Sequence, residues 1–495
     1  MMLAVLILAA TFSRPLGRVS TTDPFDCQSC YDARVVQLVY ETPLAIDYAA
    51  RPYRLVPCYC ELPEVSEDGR TYRFTVRSLP RNAADMVRSL NRIKDPTCPN
   101  GWLVRDIETV SAIDDRTVEI RLKKRTRHFP WLMATAGAAV VGANGEGTGP
   151  YRLVKWHKNH EMVFERREVE RRGGGGQGSL LSPPPPPPLL SAFSTFSTLR
   201  YLVIDDMSTQ WLMFLRGEVD FLGEISRETW EMLLGPDGRL DPALAAKGIR
   251  MHLLETLESP YIGFNMCDPV LGGNKKLRQA LSCAFDYPAW AAFNNHRISE
   301  SRGPVPPGVA DRIDEPLPYR FDLARARSLL AEAGYPNGID PKTGRRLVLS
   351  LAIGRPDQAS RETGELFASF FERIGVKLEL SYMTWDAYLT AVNEHRVQIF
   401  YMIWVMDYPD AQNILQLFYG PNRSPGVNHA NYSNPEYDAA FERGDYRKCQ
   451  ELIREDCPWI FTHYRKDCTL TGPHVGNYIP SDFPYGVEQF FEYVE

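Results

Sequence analysis

The sequence predicts an α/β fold with mixed sheets. Three observations carry this: capped helices recur in the second half, strands alternate with them, and one long apolar run reads as a buried strand. "DLARARSLLAEAGYP" starts at Asp322 as N-cap and ends at Gly334, with Pro336 beyond. Leu323, Ala326, Leu330 and Ala333 share its apolar face. "SRETGELFASFFERIG" gathers Leu366, Phe367, Phe370, Phe371 and Ile374 and stops at Gly375. "VKLEL" alternates as a strand does. "TWDAYLTAV" aligns Trp385, Tyr388, Leu389 and Val392 in one helical stripe. "VQIFYMIWVM", residues 397–406, suits a strand covered on both faces. This order implies parallel strands joined by right-handed crossovers.

The first half mixes the same elements. After the turn "SEDG", "TYRFTV" places Tyr72, Phe74 and Val76 on one face. "NAADMVRSLNRI" takes Asn82 as N-cap and buries Met86, Val87, Leu90 and Ile93. "DDRTVEIRL" turns Val118, Ile120 and Leu122 inward. "GTGPYRLVKW", Gly147 to Trp156, resembles a phosphate loop only superficially, because no helix follows to hold an anion. Its strand-forming residues lead through "HKNHE" into "MVFERRE", which is a β-hairpin. "RRGGGGQGSLLSPPPPPPLLSAFSTFST", residues 171–198, is low-complexity and reads as an inserted surface loop rather than an SH3-type ligand.

With 495 residues, 44 % of them hydrophobic and 24 % charged, the chain suits two or three globular domains. A net charge of −6 without a basic stripe argues against nucleic acid as partner. The basic run "RLKKRTR", Arg121 to Arg127, reads as a solvated strand end. "MMLAVLILAATFS" is too short to span a bilayer and reads as a signal-peptide core, residues 1–13, without its basic flank. The ten cysteines read as disulfides or buried thiols. Cys27 and Cys30 form a CxxC with no second pair, so no metal site is expected. No GxSxG, HExxH or P-loop motif is present, and His157 and His160 fall in a hairpin turn.

In an open α/β sheet, ligands bind beyond the carboxyl ends of the strands. The 397–406 run ends in "MDYPD", which puts Asp407 at such an end with Trp404 close by. A carboxylate there suits a cation and an indole suits an apolar group. Equally, Asp407 reads as the cap of the loop beside Pro409. The pattern leaves both readings open.

Eight stretches in order carry a resemblance: "DARVVQLVYETPL", "NAADMVRSLNRIKDP", "GTGPYRLVKW", "STQWLMFLRGEVDF", "YIGFNM" with "KKLRQALSCAFD", "GPVPPG", "AEAGYPNG" and "WVMDYPDAQN". Together they resemble the extracytoplasmic solute-binding proteins of ABC importers, in the peptide- and nickel-binding class. The resemblance implies a two-lobed periplasmic-binding-protein clam-shell of type II, with an extra small subdomain. It places lobe I in residues 14–43, 146–258 and 470–495, the small subdomain in 44–145 and lobe II in 259–469. It makes Gly147 to Trp156 a return from the subdomain, with Gly149 in an unusual backbone angle.

The resemblance also implies the site. Asp407 pairs with a ligand α-amino group, Trp404 lines a side-chain pocket, and Arg355 meets a ligand carboxylate through its two-pronged fork. Tyr408 and Asn265 complete the ligand-binding set, and Cys27 and Cys30 edge the cleft. The expected function is peptide capture without catalysis or cofactor, by a periplasmic or extracellular monomer that delivers its solute to a membrane permease. Alternatives within the resemblance are a nickel chelate, an opine, a sugar, or a degenerate copy that binds nothing. A hydrolase or a metal or redox protein is the reading from another class. The chain departs from the family pattern in four places, and its Gly/Pro insert is foreign to that pattern. The first strand before "DPFD" is nearly absent, a stretch between Val76 and Asn82 is missing, much of 134–147 is missing, and the final helical region is short.

Overall fold

The computed structural model describes residues 10–27, 29–77, 81–167, 195–204, 206–235, 239–483 and 485–495. The chain forms two units: one from Met1–Leu254 with Asp467–Glu495, the other Glu255–Lys466.

In the first unit, Ala10–Leu16 is a strand, and it pairs in parallel with Phe196–Val203. Two antiparallel strands, Glu161–Arg166 and Tyr151–His157, complete that sheet. Phe12 is wholly buried and packs edge-on to Phe196 and Phe491. One expectation is thereby corrected: the first strand is present, and Ala10 to Ser13 of the expected leader lie within it. Residues 1–9 lie outside the described residues. The low-complexity insert also ends earlier than its composition suggests, since Phe196 to Thr198 already belong to the sheet; residues 171–194 lie outside the described residues.

A second sheet in this unit orders Glu64–Val65, Thr71–Thr75, Thr117–Leu122 and Ile107–Ala112, all antiparallel. Tyr72, Phe74, Val118, Ile120 and Leu122 turn inward against the helix Ala83–Ile93, whose cap Asn82 accepts from the Asp85 N–H. Val87 is only partly covered. The helix Cys30–Val39 packs on the hairpin Tyr151–His157/Glu161–Arg166 side of the core through Val35 and Leu38.

"GTGP" is explained by close approach. A Cβ on Gly147 would lie 1.9 Å from the Val39 carbonyl oxygen, and one on Gly149 would lie 2.6 Å from that of Leu38. Neither glycine has a positive φ, so the expected unusual backbone angle at Gly149 is not the reason for it. The Gly149 N–H donates to the Val39 carbonyl, and Thr148 donates through Oγ1 to Glu41. Glu41 in turn holds Arg81 through two bonds of 2.6 Å, with both side chains almost fully buried.

The second unit is built on a five-stranded sheet in the order Lys377–Tyr382, Val348–Ile353, Ile399–Val405, Glu258–Phe264, Trp459–Phe461. The first three are parallel, as the alternating pattern predicts, and the last two pairings are antiparallel. Helices Lys275–Ala284, Leu323–Glu332 and Gln358–Glu372 cover it with one apolar core that includes Leu281, Leu330, Phe367, Phe371 and Ile399. Asp322 caps the second of these helices as expected, and Gly334 follows it at φ +95°.

The Ile399–Val405 strand is not covered throughout. It pairs with Val348–Ile353 only through Tyr401, and beyond that point Ile403 and Val405 are about half exposed. Trp385, expected in a buried stripe with Tyr388, is 54 % exposed.

No disulfide joins the ten cysteines, and seven of them are buried.

Candidate functional site

The site residues gather where Ile399–Val405 outruns its parallel neighbour. Those strands run the same way, so their carboxyl ends share one edge of the sheet. Trp404 sits one residue before the strand end, and its indole N–H donates to the Asn413 Oδ1 at 2.9 Å. Because that oxygen is engaged, the Asn413 amide NH₂ points the other way and donates to the Asp407 Oδ2 at 3.3 Å. Asn413 is wholly buried. One side chain therefore positions both Trp404 and Asp407.

Asp407 is not the loop cap. Asp410 fills that role, accepting from the Gln412 N–H and starting the short helix Ala411–Leu415. The Asp407 side chain reaches solvent, yet enough protein surrounds it that burial raises its carboxyl pKa, with the Asn413 hydrogen bond pulling the other way. Among the described residues no cation lies within ion-pair distance of it. The edge thus holds an anion without a partner, flanked by indole.

Trp385 adds to this edge. It lies in van der Waals reach of Gly354, directly after the Val348–Ile353 strand, and leans on Tyr388. Tyr388 is locked in place by donating to the Tyr401 carbonyl at 2.7 Å. The indole is therefore presented to solvent from a fixed base.

The other expected residues separate. Arg355 follows the Val348–Ile353 strand at the same edge, but its side chain is 78 % exposed and pairs with Asp357 at 3.2 Å. Asp357 also caps the helix Gln358–Glu372. Tyr408 is buried and donates to the Gln412 Oε1 at 2.7 Å, a local brace. Asn265 is corrected outright. Phe264 pairs with Ile399, at the opposite end of the strand from Asp407. Asn265 is buried there, its amide donates to the carbonyls of His395 and Val397, and its Oδ1 accepts from the Cys267 N–H. It ties a turn, buried, with both amide hydrogens already spent on backbone carbonyls. In the first unit, Cys27 is buried among Ala33, Val36, Ala136 and Ala139, and burial pushes its thiol up to about 12. Cys30 is exposed at the first turn of its helix.

Asn413 was missed, although "WVMDYPDAQN" contains it. The available signal was its spacing: six residues after Asp407, across a turn set by Pro409. Trp385 was misassigned because a helical stripe does not reveal which end of it overhangs the core.

The fold defines a class: an α/β protein of two compact units, with an acidic and aromatic edge beyond its parallel strand ends. Residues 54–426 match the model for bacterial extracellular solute-binding proteins, family 5, and the chain belongs to that family. It is 26 % identical over 503 residues to the glutathione-binding protein GsiB of Pectobacterium atrosepticum, covering 92 % of this chain and 88 % of that one. It is 23 % identical to heme-binding protein A of Haemophilus influenzae, covering 88 % and 83 %. Its fold matches that of HbpA2 from Haemophilus parasuis at a TM-score of 0.80 and 21 % identity, covering 98 % and 100 %. The unliganded periplasmic murein tripeptide-binding protein MppA matches at 0.80 and 20 %, covering 98 % and 97 %. No helix among the described residues is long and apolar enough to cross a membrane.

Proposed function

We propose that this protein captures short peptides by their free α-amino group at Asp407 and passes them to a membrane permease. The observation that carries this reading is the solvent-reaching carboxylate of Asp407, without an ion-pair partner among the described residues and held by the same Asn413 amide that fixes Trp404. A carboxylate in this setting favours a cationic group, and the Trp404 indole favours an apolar or cationic neighbour. Relatives named for glutathione and murein tripeptide support the peptide class. A related fold is known with Fe(III)-EDTA, an anionic chelate. An unpaired carboxylate at the strand edge disfavours that charge. The residues 44–145 are proposed as a subdomain of the first lobe, and the leader as residues before Ala10.

Titration calorimetry with di-, tri- and pentapeptides, free and N-acetylated, tests the reading. The chain used must begin no later than Ala10. Asp407→Asn removes a charge-assisted bond of about 1.5–3 kcal/mol, a loss of roughly 10- to 150-fold in affinity. N-acetylation of the peptide should cost the wild type as much and the variant almost nothing. Equal binding of acetylated and free peptides by the wild type would sink the assignment. C-terminal amidation, paired with Arg355→Ala, tests the carboxylate contact in the same way.

A further inference from the structure

One corner of the first unit gathers more cations than carboxylates. Lys94 follows the helix Ala83–Ile93, Arg105 follows the short turn Gly101–Val104, and Lys123 and Lys124 follow the strand Thr117–Leu122. The three chain ends meet there: the Lys123 ammonium donates to the Arg105 carbonyl at 2.7 Å, and the Lys123 N–H donates to the Asp106 carbonyl. Lys94 is near enough to Lys123 that its pKa is lowered, by burial first and by that like charge second. All four side chains are exposed, and among the described residues none forms an ion pair. Two carboxylates adjoin them, Asp95 held by Thr97 and Asp106 by the Thr126 hydroxyl, so four cations face two anions and the corner stays net positive. On the same turn Trp102 is 44 % exposed. A chain of net charge −6 thus carries a compact cationic corner with a protruding indole.

We propose that this corner docks on an anionic phospholipid surface. Lysines attract acidic headgroups over about a Debye length, and tryptophan settles at the headgroup boundary, where its ring is half buried and its N–H stays wet. Charge complementarity selects the lipid surface, and the single exposed indole on the turn before Arg105 suits an interface layer better than a packed protein groove. The reading uses the family's extracellular setting but does not depend on which solute is bound.

The test is co-sedimentation of the ligand-free chain with vesicles of phosphatidylglycerol mixed with phosphatidylcholine, against phosphatidylcholine alone. Binding is expected only with phosphatidylglycerol, and should fall as salt rises. Lys123→Ala with Lys124→Ala removes two charges at about fivefold each, so partitioning should drop roughly 30-fold. Trp102→Ala should weaken binding without changing its salt dependence. An unchanged melting temperature in each variant establishes that the fold is intact, as these side chains are exposed. Absence of vesicle binding, equal binding to neutral vesicles, or full binding by the double-lysine variant would overturn the proposal. Because solute is absent throughout, failure here leaves the peptide assignment standing, and the converse also holds.

Discussion

Glu41 offers the most decisive test of how the first unit is held together. Its carboxylate takes two bonds of 2.6 Å from Arg81 and one from Thr148, with the pair's side chains 5 % and 1 % exposed. The three partners lie far apart in sequence, so the cluster joins the end of the Cys30–Val39 helix, the start of the Ala83–Ile93 helix and the "GTGP" turn. Glu41→Gln keeps the shape but strands a buried guanidinium. Breaking a buried pair from one side costs about 3–5 kcal/mol. At roughly 2–4 °C per kcal/mol for a unit this large, the melting temperature should fall by about 10 °C. Differential scanning calorimetry reads the shift directly. Glu41→Met combined with Arg81→Met removes both charges and should recover most of the loss, because the desolvation penalty disappears with the attraction. A single-variant loss below about 1 kcal/mol, or a double variant no better than the single, would refute the claim that charge pairing rather than packing holds this junction.

Other outcomes follow from the same coordinates. Gly147→Ala should destabilise by roughly 1–3 kcal/mol or more, since the new methyl meets the Val39 carbonyl oxygen and the backbone must move; a neutral result in urea unfolding would contradict the close approach. Acid should destabilise both units. Burial holds His463 down to about 3, and His128 and His252 to about 4, against an ordinary 6.5. The folded pKa values lie below the unfolded ones, so this stability is present above pH 6.5 and lost as pH falls toward them, at about 1.4 kcal/mol per pH unit for each histidine. Melting temperatures equal at pH 7 and 5 would show the histidines to be solvated. For Asp407 the sign is reversed: its raised pKa makes ionisation unfavourable in the empty fold, so Asp407→Asn should raise the ligand-free melting temperature at neutral pH while weakening peptide binding. Thiol titration of the native chain should count Cys30 and Cys267 quickly, and all ten only after unfolding; fewer than ten would reveal a disulfide.

Much of the fold was readable where physics is local. Asn82 and Asp322 cap their helices because a short polar side chain reaches the third N–H in any context. Val118, Ile120 and Leu122 turn inward because a strand has only two faces. The parallel order of the second unit followed from helices sitting between strands. What stayed hidden depends on partners distant in sequence. Nothing near Gly147 announces that Val39 lies against it. Asn265 sits in "YIGFNM", one of the stretches that carry the resemblance, yet a motif match does not separate a ligand contact from a turn tie, and only its position at the far end of the strand does so. Asp407 could be placed at a strand end by pattern, whereas the lack of an ion-pair partner among the described residues required the folded surface.

The shared amide of Asn413 has one more consequence. It accepts from the Trp404 indole on one side and donates to Asp407 on the other. Any cation that settles on Asp407 redraws the electron density in that amide, and the indole senses the change through its only polar bond. Under the proposed function, Trp404 is in this way an optical probe of occupancy at Asp407. With nine tryptophans in the chain its signal is a fraction of the total emission, and a difference spectrum against Trp404→Phe isolates it. The protein then reports its own loading in light, without label or partner.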